Sequence, residues 1–267
     1  HFYFPTARTQ THTVIDRKLI ELPEYFRKSQ AGDQWLRSGV LNLLDGGAGE
    51  DKLKGGTGNM LFVGGHGNDT ITIGSSANLI GFNRGDGQDT LIAASGASNT
   101  LSLGGGITYS DLSFSRLGAD LVLDAGNGDQ ITLKNWYQDT AKRSVVNLQM
   151  IIDASADFAP GEADSLTGRR IEQFDFSGLA ARFEEQLKSD PTLGSWQLAE
   201  ALTDFHLSSS DSEALGGDLA YRYGHDGSLA GIGLTPAQEA LNHPQFGTAP
   251  QALQPIAALQ TGRIRLA

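Results

Sequence analysis

A nine-residue period is the strongest constraint on how this chain can fold. In steps of nine from Gly46 it reads GGAGEDKLK (46–54), GGTGNMLFV (55–63) and GGHGNDTIT (64–72), with Gly at positions one, two and four and an apolar residue at position eight. One step earlier, RSGVLNLLD (37–45) keeps Asn42 and Leu44 in register. One step later, IGSSANLIG (73–81) keeps Asn78 and Ile80, and RGDGQDTLI (84–92) resumes the pattern after a two-residue insertion. Of the 34 glycines, 14 fall between Gly39 and Gly87. A flexible linker would have no reason to hold an apolar residue at position eight of each unit.

Glycine permits backbone angles that a side chain opposes, so the first six residues of a unit suit a tight turn. The last three suit a very short strand whose middle residue points inward: Leu44, Leu53, Phe62, Ile71, Ile80 and Leu91 in order. A lone strand cannot bury that residue, whereas stacked coils can, and they also pair their backbone groups with neighbours. If each unit turns the chain through half a coil, residues 18 apart share an edge.

That spacing predicts where carboxylates meet. Asp51 and Asp69 are 18 apart, and Asp89 follows 20 residues later if the insertion is looped out. Carboxylates joined by backbone carbonyls form the hard oxygen set that calcium prefers. The opposite edge would carry Asn42, Met60 and Asn78, and Met60 is a poor calcium ligand, so that edge is expected to bind weakly or not at all.

The repeat GGxGxDxLx resembles the nonapeptide of the RTX, or haemolysin-type calcium-binding, proteins, most closely over 46–72. The resemblance implies a parallel β-roll in which carbonyls of positions one and three join the position-six Asp. Carried onto this chain, it implies metal ligands from Gly46, Ala48 and Asp51 with Gly64, His66 and Asp69, and from Asp89; His66 would offer only its carbonyl, with its imidazole in solvent. The segment 109–139, including NWY at 135–137, resembles the extension that follows such repeats. The family also implies export by the type I secretion machinery of Gram-negative bacteria, a secreted or cell-surface location, and an upstream passenger domain in the same protein.

Beyond Leu101 the period becomes that of strands broken by Gly turns, with Leu112 and Phe114, Leu121 and Leu123, and Ile131 and Leu133 on shared faces. An antiparallel meander here would cover the open end of a solenoid. Asp124 and Asp129 flank an AGNG turn and are read mainly as turn residues. After Gly161 the pattern favours helices: Leu179, Phe183 and Leu187 at every fourth position, a second apolar series at Trp196, Leu198, Leu202 and Phe205, and a capping-box spacing in TPAQ at 235–238. The expected fold is mainly β: a short parallel β-roll of nonapeptide repeats (37–100) capped by antiparallel strands (101–150), followed by an α-helical and loop C-terminal region (151–267) with a possible secretion signal. Residues 1–36 would form an N-terminal cap or the remnant of an upstream domain. The start at His1 is read as that of a fragment or processed product.

Composition narrows the function. With 31 acidic against 20 basic residues, duplex nucleic acid is an unsuitable partner, and no apolar run approaches a transmembrane segment. There is no cysteine, hence no disulfide scaffold and no thiolate zinc site. Neither HExxH nor GxSxG occurs, so no catalytic residue is assigned and the chain is not expected to be an enzyme. His206 with Asp204 and Ser208 to Ser210, the carboxylates Asp153 with Asp157 and Asp211 with Asp218, and His225 beside Asp226 are read as surface or helix-end groups. The preferred reading is a calcium-binding folding and secretion module at the C-terminus of a larger secreted protein. The alternatives are an adhesin or biofilm-matrix domain that binds a surface or glycan, and an enzyme with an unrecognised site after residue 140.

Overall fold

The computed structural model describes residues 35–36, 43–56, 58–93, 98–162, 166–261 and 265–266. Asn42 and nearly all of the expected N-terminal cap lie outside the described residues. The repeat region forms short strands that alternate between two sheets: β1 (Trp35–Leu36), β2 (Leu43–Asp45), β3 (Lys52–Lys54), β4 (Met60–Val63), β5 (Thr70–Thr72), β6 (Asn78–Asn83), β7 (Gln88–Ile92) and β8 (Asn99–Gly104). Odd strands stack parallel in one sheet and even strands in the other.

Leu53 pairs with Ile71, and Phe62 with Leu44 and Ile80, so the inward residues stack in columns. All six position-eight residues are at most 4% exposed and belong to one core. Burial of such a side chain contributes roughly 1.5–3 kcal/mol, enough for the stack as a whole although not for any one coil. The turns between strands must pass one another closely. Gly65 has φ +87°, and a Cβ there would collide with the carbonyl of Gly47 in the preceding coil, which is why this position is glycine.

The two-residue insertion is not looped out. Phe82 and Asn83 extend β6, Phe82 is fully buried, and the longer strand pairs with β8 from Leu79↔Thr100 to Asn83↔Gly104. A buried aromatic on the inner face favours a longer strand over a bulge into solvent.

Segment 101–150 is only partly antiparallel. Residues 101–104 belong to β8 in the parallel stack. Strands β9 (Ser113–Leu117), β10 (Asp120–Asp124) and β11 (Gln130–Leu133) form an antiparallel meander whose last strand joins β7 in parallel. Strand β12 (Val145–Ile151) likewise extends the other sheet, parallel to β8. Strands β11 and β12 depart from a purely antiparallel segment because each, besides an antiparallel partner, takes up in parallel the backbone groups left open by the last repeat strand of its sheet.

The C-terminal region contains strands as well as helices. β13 (Ile171–Asp175) adds antiparallel to β12, and α1 (Phe176–Ser189) follows, capped by Asp175, with Leu179 and Phe183 buried. The expected second helix is absent. Trp196 lies in β14 (Trp196–Gln197), Leu202 and Phe205 lie in a 3-10 turn, and β15 (His206–Ser210) pairs with β13. Trp196 stacks on Phe183 at 6.1 Å, and Leu198 and Leu202 complete this core without a helical period. After β16 (Glu213–Leu215) come α2 (Gly217–Asp226) and α3 (Leu234–Leu241); the latter starts after Gly233, so Thr235 lies inside it and the expected capping box does not form. β17 (Pro250–Ala252) pairs with β16, and α4 (Ile256–Leu259) ends the fold. Among the described residues no helix is long and apolar enough to cross a membrane.

Helix α2 seats on the second sheet through glycine. A Cβ on Gly104 would strike the backbone of Gly224, and one on Gly81 would lie 2.8 Å from the Tyr223 ring. Gly105 N–H donates to Gly224 O at 2.7 Å, and Asn83 Nδ2 donates to Tyr223 O at 2.8 Å.

Candidate metal site

The turn edge beside β3, β5 and β7 carries a ladder of aspartates. Asp51 N–H donates to Asp69 Oδ1 at 2.7 Å, and Asp69 N–H donates to Asp89 Oδ1 at 2.9 Å. Asp51, Asp69 and Asp89 are each at most 2% exposed. Each such bond leaves the second carboxylate oxygen pointing elsewhere, and Asp69 Oδ2 is buried without a hydrogen-bond partner among the described residues. Burying a carboxylate without full compensation is expensive.

Glycine makes the space around those oxygens. A Cβ on Gly46 would lie 2.6 Å from Gly64 O and 2.9 Å from Asp51 Oδ2. A Cβ on Gly64 would collide with Asp69 Oδ2 and lie 3.0 Å from Asp89 Oδ2. Ala48 and His66 are bridged in parallel, and His66 O accepts from Gly49 N–H at 2.8 Å. The His66 ring is largely exposed, with Nδ1 2.8 Å from Gly85 O, so this nitrogen carries a proton and is not a ligand. The fold therefore gathers Gly46, Ala48, Asp51, Gly64, His66, Asp69 and Asp89 along one edge.

The ladder resists ionisation without a cation. Burial pushes the Asp69 carboxyl up to about 6, with the Asp51 charge adding to the shift. Burial, together with the charges of Asp69 and Asp86, pushes Asp89 up to about 8. Asp86 is also pushed up to about 6 by burial, against hydrogen bonds from Asn83 N–H and the Tyr223 hydroxyl. Among the described residues no three carboxylate, imidazole or thiol groups surround one point. A cation here would therefore need backbone carbonyls beside the aspartates, and such an all-oxygen set suits a hard divalent ion.

The opposite edge carries no formal charge and is built on amide hydrogen bonds, with Asn78 Oδ1 buried without a hydrogen-bond partner among the described residues. Asn78 donates from both N and Nδ2 to Asn99 Oδ1, at 3.2 and 2.9 Å, and Asn99 Nδ2 donates to Ser144 Oγ at 2.8 Å. Met60 Sδ accepts from Gly56 N–H at 3.4 Å. An amide ladder supplies its own donors, so it leaves no negative charge for a cation to compensate.

Asp129 ends the acidic edge as a structural group. Its carboxylate accepts from Gly85 N–H at 2.8 Å and Gly87 N–H at 3.0 Å, tying the meander to the last turn. Asp124 accepts from Gly126 N–H at 2.8 Å within its own turn.

The group of His206 and the serines after it, read from the sequence as a helix end, lies instead on strand β15 and gathers a partner that the sequence did not indicate, Glu172. His206 lies 2.8 Å from buried Glu172 and 3.1 Å from Ser209, and Ser209 Oγ donates to Glu172 at 2.6 Å. Serine and carboxylate meet the same imidazole nitrogen, whereas a nucleophilic relay needs them on opposite nitrogens. Glu172 is 34 residues from His206 and meets it only through the pairing of β13 with β15, so no local signal announced it. Asp157 accepts from Tyr109 N–H and Asp218 from Gln254 N–H, each a structural contact. No protein-family model matches the chain, and no curated protein matches it.

Proposed function

We propose that the chain is a calcium-binding folding module, of the β-roll kind that its repeats resemble, at the C-terminus of a larger secreted protein. The observation that carries this reading is the buried Asp51–Asp69–Asp89 ladder, with Asp69 Oδ2 lacking a hydrogen-bond partner among the described residues beside a cradle that only glycine leaves open. Asp51, Asp69 and Asp89 would hold calcium with carbonyls of Gly46, Ala48, Gly64 and His66. The ion supplies charge compensation and folding free energy, since it binds the folded chain and not the unfolded one.

The same physics gives the module a use. In a low-calcium interior the carboxylates favour an unfolded chain, which suits passage through type I secretion machinery. External calcium then pairs them and closes the stack at the cell surface or in the medium. An upstream passenger would be carried along, and no catalytic role is proposed for the chain.

Titration of the metal-stripped chain with calcium, followed by circular dichroism with a magnesium control, tests the reading. A calcium-selective gain in strand content is expected. Absence of binding or of any structural response would reduce the repeats to a metal-independent scaffold.

A further inference from the structure

The turn between β10 and β11 holds a site of covalent chemistry, and it does not rest on the calcium reading. Asn127–Gly128 is the one Asn–Gly pair in the sequence, and both residues are exposed at the tip of that turn. Their φ angles are +55° and +87°, and Asp129 N–H closes the turn on Gly126 O at 2.9 Å. Two central residues at positive φ form the tight turn for which Asn–Gly is the preferred pair. Among the described residues the Asn127 side chain makes no hydrogen bond, Gly128 N–H donates to nothing, and a Cβ on Gly128 would meet nothing within 4 Å.

An asparagine before glycine is open to attack by its own backbone, because glycine sets no side chain beside the incoming nitrogen. The Gly128 nitrogen adds to Asn127 Cγ, the Cγ–Nδ2 bond breaks, and Nδ2 leaves as ammonia with the proton that Gly128 N–H gives up. Water from solvent then opens the cyclic imide. Opening at Cγ gives aspartate on the ordinary backbone. Opening at the main-chain carbonyl gives isoaspartate, whose backbone runs through Cβ and Cγ and is longer by an atom. No oxidant or reductant takes part. The closed turn blocks the first step: a left-handed residue has ψ of about +47°, which sets the Gly128 nitrogen nearly opposite Cβ across the Cα–C bond, whereas ring closure needs both on the same side. Attack therefore waits for the turn to open.

Asp129 is what holds the turn closed. It is buried, and its carboxylate accepts from Gly85 N–H at 2.8 Å and Gly87 N–H at 3.0 Å in the last repeat turn. Gln88 Nε2 donates to Gly128 O at 3.3 Å, and Ala125 N–H to Asp129 O at 2.9 Å. Isoaspartate at position 127 lengthens the path from Gly126 to Asp129, so the same turn cannot re-form and the carboxylate is carried off its two donors. We propose that Asn127 is a site of spontaneous conversion to isoaspartate, entered when this turn opens, and that the conversion unhooks Asp129 from Gly85 and Gly87 for good. The chain thereby keeps a one-way record of how long the meander has stood open from the last coil.

The test incubates the full chain in mildly alkaline buffer, folded and in urea, and follows position 127 by peptide mass spectrometry with enzymatic methylation of isoaspartate. The unfolded chain should convert about tenfold or more faster than the folded one, which reacts only through local opening. Asp129→Asn, shown by circular dichroism to be folded, should convert faster than the parent. Converted molecules carry an added negative charge and separate by anion exchange. In their isoaspartate fraction the amide protons of Gly85 and Gly87 should exchange with solvent about tenfold or more faster than in fresh protein, a measurement that needs no variant. Asn127→Asp, with the same charge on an ordinary backbone, should keep that protection. The proposal is overturned if the folded chain gives no isoaspartate at 127 over an incubation that converts the unfolded one, if the folded Asp129 variant and the parent convert alike, if Gly85 and Gly87 stay protected in the isoaspartate fraction, or if Asn127→Asp loses their protection as well.

Discussion

The backbone N–H of Asp69 donates to Oδ1 of Asp89 at 2.9 Å across 20 residues. The preceding rung, Asp51 to Asp69, spans 18 residues at 2.7 Å. The ladder therefore keeps its geometry although the repeat does not, because Phe82 and Asn83 lengthen β6 and the next turn starts two residues later. Each rung fixes one carboxylate oxygen on backbone and turns the other toward the glycine cradle. The site is thus a property of stacking, and loss of stacking would disperse it.

Proton and calcium compete for these groups, which sets a pH dependence of defined sign. In the unfolded chain aspartates ionise near 4, whereas in the metal-free fold Asp69 holds its proton to about 6 and Asp89 to about 8. The fold then binds more protons than the unfolded chain, so this contribution to stability is full below about pH 4 and is lost as pH rises through about 6 and 8. Denaturant midpoints of the chelated protein should fall between pH 5 and pH 8. With saturating calcium the decline should vanish, and the calcium affinity should rise over the same interval. A flat chelated profile would contradict the assignment.

Asp69 faces both neighbouring rungs, whereas Asp226 is partly exposed and pairs with His225 at 2.5 Å. Asp69→Asn is expected to weaken calcium binding about tenfold or more, as loss of a carboxylate ligand would. Asp226→Asn should leave it unchanged. Calorimetric titration of the two variants side by side decides the matter, and equal affinities would exclude the ladder as the site.

The neutral edge should answer differently. Asn78 is fully buried and donates twice to Asn99. Asn78→Ala is expected to cost about 1–3 kcal/mol by stranding buried amide groups. The number of calcium ions bound should not change. Chemical denaturation and calcium stoichiometry measured on the same variant separate the two effects.

Much of the repeat region was legible because its signal is local and periodic. A column of residues nine apart can be read without knowing any long-range partner, and Leu44 through Leu91 all lie in the core. The insertion was misplaced because only burial of Phe82 decides between loop and strand. Beyond residue 150 the signal is long-range. Trp196, Leu198, Leu202 and Phe205 have a helix-compatible spacing, yet Phe183 and the edges of β9 and β13 claim them instead. The sequence named Asp153, Asp211 and His225 separately, but not that they lie near one another and Arg170: they come from three separate segments, and their adjacency depends on β12, β13 and α2 packing together.

The docking of α2 joins the C-terminal region to the repeats and gives the last prediction. The Tyr223 hydroxyl donates to Asp86 at 2.8 Å in the turn between β6 and β7, and Asn83 donates to Tyr223 O at 2.8 Å. Burial beside Asp86 pushes the Tyr223 hydroxyl well above its usual range, so it stays a donor. This turn exists only while the coils are stacked, and the close approach of Gly104 to Gly224 leaves no room for a side chain. Gly104→Val should lift α2 from the sheet and split a single thermal transition into two, whereas Tyr223→Phe should keep one transition and cost about 1–3 kcal/mol by removing a donor from buried Asp86. Differential scanning calorimetry in calcium distinguishes these outcomes. One unchanged transition in the Gly104 variant would mean that the two halves do not fold as the unit their contacts imply.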